Sequence, residues 1–307
     1  MKRLRLSRTM IVWLVDLAFI LIAIPIIPHF TTSANFANIL VRLLIIYLVA
    51  LAQSFAIVVG GADLSVGSNM SLATAIGSYL LIIDPIMGFL VILASGAILG
   101  AFNGFGVVKV GLHPFIVTLC SFLIAQGLAL TLRPRPGGRV PEILFDSLYS
   151  TYHGIPVLSI ILLILVLLAM SFLIERTRLG RSLLAVGGNE KAARDFGINV
   201  ELVKFLAYVI AGALAAVAGF FLGVRIGCGH PYVGEPFLLY SFGAAVAGGT
   251  FLTGGTTSPI GTLGGALLFA LIDNILWLSK LSTYHSLIVQ GIALVVVVGV
   301  SEAVLRR

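Results

Sequence analysis

Residues 156–174 read PVLSIILLILVLLAMSFLI, an uncharged run closed by Glu175 and Arg176. As a helix it is apolar all round, so it keeps no polar face for water. A helix needs about 20 predominantly apolar residues to cross a bilayer, and this stretch has that length. Runs of the same kind, bounded by Gly, Pro or charge, fall at 10–28, 41–60, 66–83, 85–108, 114–132, 203–224, 239–252, 258–278 and 284–304. The sequence therefore predicts an all-α polytopic membrane protein with about ten transmembrane helices, a single membrane domain over 1–307. The run at 239–252 is short, and short segments of transporters are often broken or re-entrant; it either spans or re-enters.

Composition points the same way. Of 307 residues, 59% are hydrophobic and 10% charged, where a soluble domain has roughly 45–50% and about 25%. Too little polar surface remains to cover such a chain in water, which excludes soluble, disordered, fibrous and disulfide-stapled classes. The net charge of +7 would suit nucleic acid in a soluble protein. In a membrane protein, excess Lys and Arg mark the cytoplasmic side, and no nucleic-acid partner is expected. With both termini cytoplasmic, the inner segments hold thirteen Lys and Arg against six outside. The main violation is Arg133, Arg135 and Arg139, in an outer loop rich in Pro and Gly. The first run follows Met1-Lys2-Arg3-Leu4-Arg5 but lacks a small-residue cleavage site and is closed by Pro25 and Pro28. It reads as a retained span rather than a signal peptide. Cys120 and Cys228 have neither metal-site nor disulfide-framework spacing.

Two connections are long. The outer one, 133–155, carries Pro134, Pro136, Gly137, Gly138 and Pro141, which forbid a long regular helix. The inner one, 175–203, contains AVGGNEKAARDFGINV at 185–200. Asn189 is placed to N-cap a helix, Glu190 favours its start, and Gly197 suits the left-handed position after its last turn. The predicted helix at 190–196 is too short to persist alone in water and needs a surface to dock on. The alternative is a solvated loop with a chance helical turn.

Catalytic patterns are missing. There is no H-E-x-x-H, no G-x-S-x-G and no P-loop, and His29, His113, His153, His230 and His285 stand singly. No catalytic residue and no metal site is assigned. Charge inside spans is costly and usually functional. The candidates are Asp16, Arg42, Asp63 and Asp273, with Asp16 and Arg42 read as interfacial and Asp273 as deeply placed. Gln53, Asn69, Asn103, Gln126 and Asn274 are neutral hydrogen-bonding groups within or beside spans. With Asp273 they are the candidate lining of a translocation pathway for a neutral polyhydroxylated solute, or else interhelical glue. Gly96, Gly100 and Gly104 form a ridge for close helix packing, as do Gly261 and Gly265. The motif Gly60-Gly61-Ala62-Asp63-Leu64-Ser65-Val66-Gly67 reads as a tight helix junction, with Asp63 or Ser65 capping the helix that begins near Val66. It echoes Gly248–Gly255 at an offset of 188 residues; duplicated halves and two unrelated glycine breaks would both produce the echo.

These residues also resemble a known family. GGADLSVGS at 60–68, Asn103-Gly104, Pro114–Leu119, Thr177–Arg181, Ala185–Glu190 with Gly197–Val200, and Gly248-Gly249-Thr250 with Gly254-Gly255 and Gly261-Thr262 are similar to the signature of bacterial ABC permeases of the ribose/xylose/arabinose/galactoside type, within the branched-chain amino acid/ribose permease superfamily. The resemblance implies the type II ABC importer architecture in a bacterial inner membrane, importing a pentose or hexose. It implies a second permease subunit, two ATPase subunits, and a periplasmic sugar-binding protein. No cofactor is expected on this chain, because ATP and Mg would sit on the ATPase. The segment with Gly188, Asn189, Glu190, Ala192, Ala193, Phe196 and Gly197 then resembles the helix that couples to the ATPase. The chain departs from the family pattern at Ala62, Gln126, Tyr240 and Asp273, where Ile, Arg, Asp and Asn are usual. An ion-coupled secondary transporter of a small polar solute is the alternative, and it predicts an essential Asp273.

Overall fold

A computed structural model describes residues 8–281 and, beyond them, residues 285, 288–289, 291–296 and 299. Twelve helices follow in order: α1 (Arg8–Ile26), α2 (Ser33–Val58), α3 (Val66–Leu80), α4 (Pro85–Val108), α5 (Pro114–Leu132), α6 (Glu142–Tyr149), α7 (Val157–Arg176), α8 (Arg178–Gly188), α9 (Glu190–Asp195), α10 (Val200–Ile226), α11 (Glu235–Ala247) and α12 (Pro259–Leu278). Among the described residues there is no strand, only two isolated bridges, Gly137 with Gly229 and Tyr152 with Ile155. Among the described residues seven helices, α1, α2, α4, α5, α7, α10 and α12, are long and apolar enough to cross a membrane. The run expected at 284–304 lies largely outside the described residues.

Local chemistry sets the boundaries. Asp84 and His113 each accept a hydrogen bond from the first turn of α4 and α5, and Pro85 and Pro114 take the first helical position. Proline is tolerated there because its missing N–H would have no intrahelical acceptor. The expected limits 85–108 and 114–132 hold for that reason. Helix α2 begins at Ser33, not at 41, because Thr32 caps the Asn35 N–H and Asn35 is buried, bonded to Asn274. Helices α3 and α11 have 15 and 13 residues. At about 1.5 Å per residue both fall short of the roughly 30 Å hydrocarbon thickness.

Helix α2 is the central post. Every residue from Leu43 to Val58 is buried, and α3, α7, α10, α11 and α12 pack around it. Helix α4 packs on α10 through glycine. A Cβ at Gly100 would lie 2.2 Å from the Tyr208 carbonyl oxygen, and one at Gly212 would lie 2.2 Å from that of Gly96. The second expected ridge also packs closely, Gly261 and Gly265 against Gly248 and Ala244. The outward faces of α1, α4, α5 and α7 expose Leu21, Ile98, Leu123, Leu168 and Phe172. Such large apolar side chains belong against lipid.

The connections sort to two ends. At one, the Gly255 N–H donates to the Val58 carbonyl at 2.9 Å, Gly187 lies against both, and Lys109 pairs with Glu201. At the other, Gly137 pairs with Gly229 and Arg133 donates to Ser78. The connection 227–234 does not stay at that second end. Gly229 lies against Ser78, His230 against Thr74, and Gly234 against Ser71 and Gly67. It follows α3 into the bundle, and α11 starts inside. The run read at 239–252 is thus a short buried helix that stops at Gly248. Two further elements were not expected: α6 in the outer loop and α8 ahead of the short inner helix.

Candidate functional site

The end where Gly255 meets Val58 carries a structured arm. Helix α8 begins where α7 stops, capped by Thr177, whose hydroxyl accepts from the Gly180 N–H. The turn is so tight that a Cβ on Gly180 would lie 2.2 Å from the Ile174 carbonyl oxygen. Asn189 ends α8 and caps α9, its Oδ1 accepting from the Ala192 N–H at 2.9 Å. Glu190 pairs with Lys204 at the foot of α10 and with Arg194 at 3.5 Å. Gly197 follows with φ +79, a left-handed conformation that favours glycine. Gly188 is exposed with open space around it and Ala192 is half-buried. Ala193 is only 3% exposed and belongs to the arm's own core, whereas Phe196 is 88% exposed. The side chain presented outward is therefore Phe196 and not Ala193.

The glycine junction is built around a buried carboxylate. Asp63, 1% exposed, accepts from the Ser65 N–H at 2.8 Å and the Ser65 hydroxyl at 2.5 Å. Asn103 donates to Ser65 Oγ at 3.0 Å and reaches the carboxylate at 3.4 Å. Asp63 thus closes the turn ahead of α3, and Ser65, the residue at the cap position, makes no side-chain cap bond. Gln53, oriented to satisfy both ends of its amide, donates to the Asp63 carbonyl at 2.9 Å and accepts from its N–H at 3.2 Å. Gly60 takes φ +80 to turn the chain, Gly61 leaves room for the Tyr208 hydroxyl, and Gly67 meets the Gly234 carbonyl.

The in-going connection 227–234 is held in the same way. Thr74 Oγ1 accepts from the His230 N–H and donates to its carbonyl, Ser71 Oγ accepts from the Gly234 N–H, and Gln126 donates to the Pro231 carbonyl at 2.8 Å. Irregular backbone at membrane depth is tolerated only where protein satisfies its polar groups. Asn69 donates to the Gly212 carbonyl on α10 at 2.9 Å, and Asn274 exchanges bonds with Asn35 at 2.7 and 3.2 Å. The amides singled out in the sequence are thus spread over four places rather than gathered on one wall.

Toward the opposite end, α2, α11 and α12 meet at an ion pair. Arg42 Nε lies 2.6 Å from Asp273 Oδ2. The Tyr240 hydroxyl donates to Asp273 Oδ1 at 2.8 Å and accepts from Arg42 at 3.2 Å. Arg42 is not alone. It is the partner that lets Asp273 sit there, and sequence reasoning missed the pair because the two residues belong to different helices far apart in the chain. Asp16 is 1% exposed on α1 and makes no hydrogen bond.

A family model for the branched-chain amino acid transport system / permease component matches residues 35–298. The chain belongs to this permease family. The permease is 35% identical over 291 residues to the ribose import permease of Bacillus subtilis, covering 91% of this chain and 89% of that one. It is 34% identical to the D-allose transport system permease of Escherichia coli K12 (86% and 82% covered) and 30% identical to the xylose transport system permease of the same strain (91% and 87% covered). No solved structure matches the permease.

Proposed function

We propose that this permease is the membrane subunit of an ATP-driven importer of a monosaccharide, a pentose or hexose. The names of its relatives, permeases for ribose, allose and xylose, support the substrate class. The observation that carries the coupling is Phe196, a large apolar side chain held out on a capped two-helix arm. A phenyl ring exposed at an aqueous surface gains from burial in a partner, and a groove on a separate ATPase is the partner this reading requires. The full assembly would hold two ATPase subunits, a second permease and a sugar-binding protein on the far side. In this reading the arm and both termini face the cytoplasm of a bacterial inner membrane, and about ten helices span it in the type II importer arrangement. ATP and Mg would be bound by the ATPase.

Ion-coupled transport is disfavoured by Asp273, whose carboxylate is already engaged by Arg42 and Tyr240 and is no free proton carrier. Vesicles holding the permease, its ATPase and its binding protein should import sugar with ATP and keep doing so when ion gradients are dissipated. Uptake that stops on adding a protonophore at constant ATP overturns the proposal.

A further inference from the structure

We propose that the outer mouth of the bundle contains a holding subsite for one neutral monosaccharide, built by Asn38 of α2, Phe145 and Tyr149 of α6, and Arg225 of α10. The proposal rests on the monosaccharide reading above and adds a place within this chain where the sugar pauses. Two adjoining cavities of about 520 and 830 Å³ share Phe145 and Arg225 as a common wall. Ligand sites have volumes of roughly 300–1,000 Å³, so the first is large enough for a single sugar ring.

The lining has the chemistry a sugar needs. Phe145 and Tyr149 stack on each other at 4.4 Å between centroids, and Phe145 remains exposed along the cavity. A flat apolar face of this kind takes the C–H side of a pyranose or furanose ring. Around it stand an amide, Asn38, two hydroxyls, Ser33 and Thr151, and the Arg225 guanidinium. Sugar hydroxyls both donate and accept, and amides and hydroxyls answer in both senses. Arg225 is the one charged side chain of the first cavity and is hydrogen-bonded to Tyr149, while the second cavity sets Arg139 and Arg225 against Glu142 and Asp146.

Below the subsite the bundle is closed. Arg42 lies one helical turn below Asn38 on the same side of α2, locked to Asp273 and Tyr240. Beneath it α2 is buried on every side from Leu43 to Val58. A solute entering from outside meets this closely packed stretch of α2 below the subsite, which is the geometry of a waiting position and not of an open channel. The α6 helix that forms the lid-side wall is anchored from below: Leu148 is buried, and its carbonyl accepts from Ser159 Oγ at 2.7 Å. The aromatic wall is therefore fixed before any sugar arrives.

The test is equilibrium binding of radiolabelled D-ribose, D-allose and D-xylose to the permease in lipid nanodiscs, without ATPase or binding protein. D-gluconate serves as the charged competitor. At least one neutral sugar should bind saturably and gluconate should not displace it. Phe145→Ala should weaken binding about tenfold, the scale of a lost aromatic contact, and Phe145→Trp should restore it. Ala34→Trp, placed on an exposed turn of α2, should fill the cavity and abolish binding. Elution profile and melting temperature equal to wild type establish that the variants are folded. Binding unchanged in Phe145→Ala and Ala34→Trp, or displacement by gluconate, overturns the subsite. So does a permease that binds no sugar while the assembled importer transports it. An Ala34→Trp variant that loses only capture of the binding protein, with no sugar bound by wild type, shows a protein-docking surface and also overturns it. An assembled importer that carries no monosaccharide at all refutes the functional reading instead.

Discussion

Removing either member of the Arg42–Asp273 pair should be far more harmful than removing both. At 2.6 Å and an effective dielectric of about 20, the attraction is about 6 kcal/mol. Desolvation, several kcal/mol per ion, offsets much of it. The pair is thus near break-even, but a lone survivor keeps its desolvation cost without its partner. Single replacement is expected to cost about 3–5 kcal/mol, and an apolar double replacement about 1 kcal/mol or less. Tyr240 makes the two singles unequal. In Arg42→Met its hydroxyl still donates to Asp273, whereas Asp273→Leu leaves Arg42 facing a phenol that is a much poorer partner than a carboxylate. Asp273→Leu is therefore the worse single. The assay is the unfolding free energy of the purified permease in mixed micelles on titration with SDS, for wild type, both singles and Arg42→Met/Asp273→Leu. The cycle should return a coupling of about 5 kcal/mol or more, well above the ~0.5 kcal/mol within which independent sites add. Additive singles would refute the argument that each ion is there to neutralise the other. Sugar import by the double variant should persist, since the pair carries no proton in this mechanism.

Two further outcomes follow from the junction and the arm. Asp63→Asn keeps an acceptor for Ser65 and should lower folded yield only slightly, whereas Asp63→Leu strands the Ser65 and Asn103 donors at about 1–3 kcal/mol each and should leave little folded protein; equal yields would show that the carboxylate does not hold the turn. Phe196→Ser should leave the melting temperature unchanged but weaken ATPase retention in a pull-down by about 10- to 100-fold, the equivalent of one buried phenyl ring. Ala193→Asp should instead reduce folding, because Ala193 is inside the arm; if Ala193→Asp folds normally and Phe196→Ser retains the ATPase, the arm does not dock as described.

Helix ends with strong local chemistry were legible in the sequence. Asp84-Pro85 and His113-Pro114 fix two starts, and Asn189 with Gly197 brackets the short inner helix. What could not be read was anything set by distant partners. Helix α8 is amphipathic and basic, so an apolar-run search passes over it, and α6 hides among prolines that bound it without entering it. The first turns of α2 look like loop because Ser33, Asn35 and Asn38 are polar, yet Asn35 is buried against Asn274. The polar residues in spans were recognised as unusual, with pathway lining and interhelical bonding both open to them. Gln53 and Gln126 serve irregular backbone at Asp63 and Pro231, and one sequence cannot reveal that a chain segment turns inward beside α3. Arg42 and Asp273 each looked isolated because no periodicity links two helices at opposite ends of a chain.

The meeting of Val58, Gly187 and Gly255 has a mechanical meaning. A Cβ at Gly187 would lie 1.7 Å from the Val58 carbonyl oxygen, so three strands of main chain touch with no side chain between them. Side chains are the compressible layer in most protein joints, because rotamers can yield while backbone holds. Here that cushion is missing. A displacement of α8 arrives at the foot of α2 and at the turn before α12 with almost no backlash, as in a gear train cut without clearance. The same stiffness runs backwards: whatever tilts α2 at its outer end moves the arm that carries Phe196.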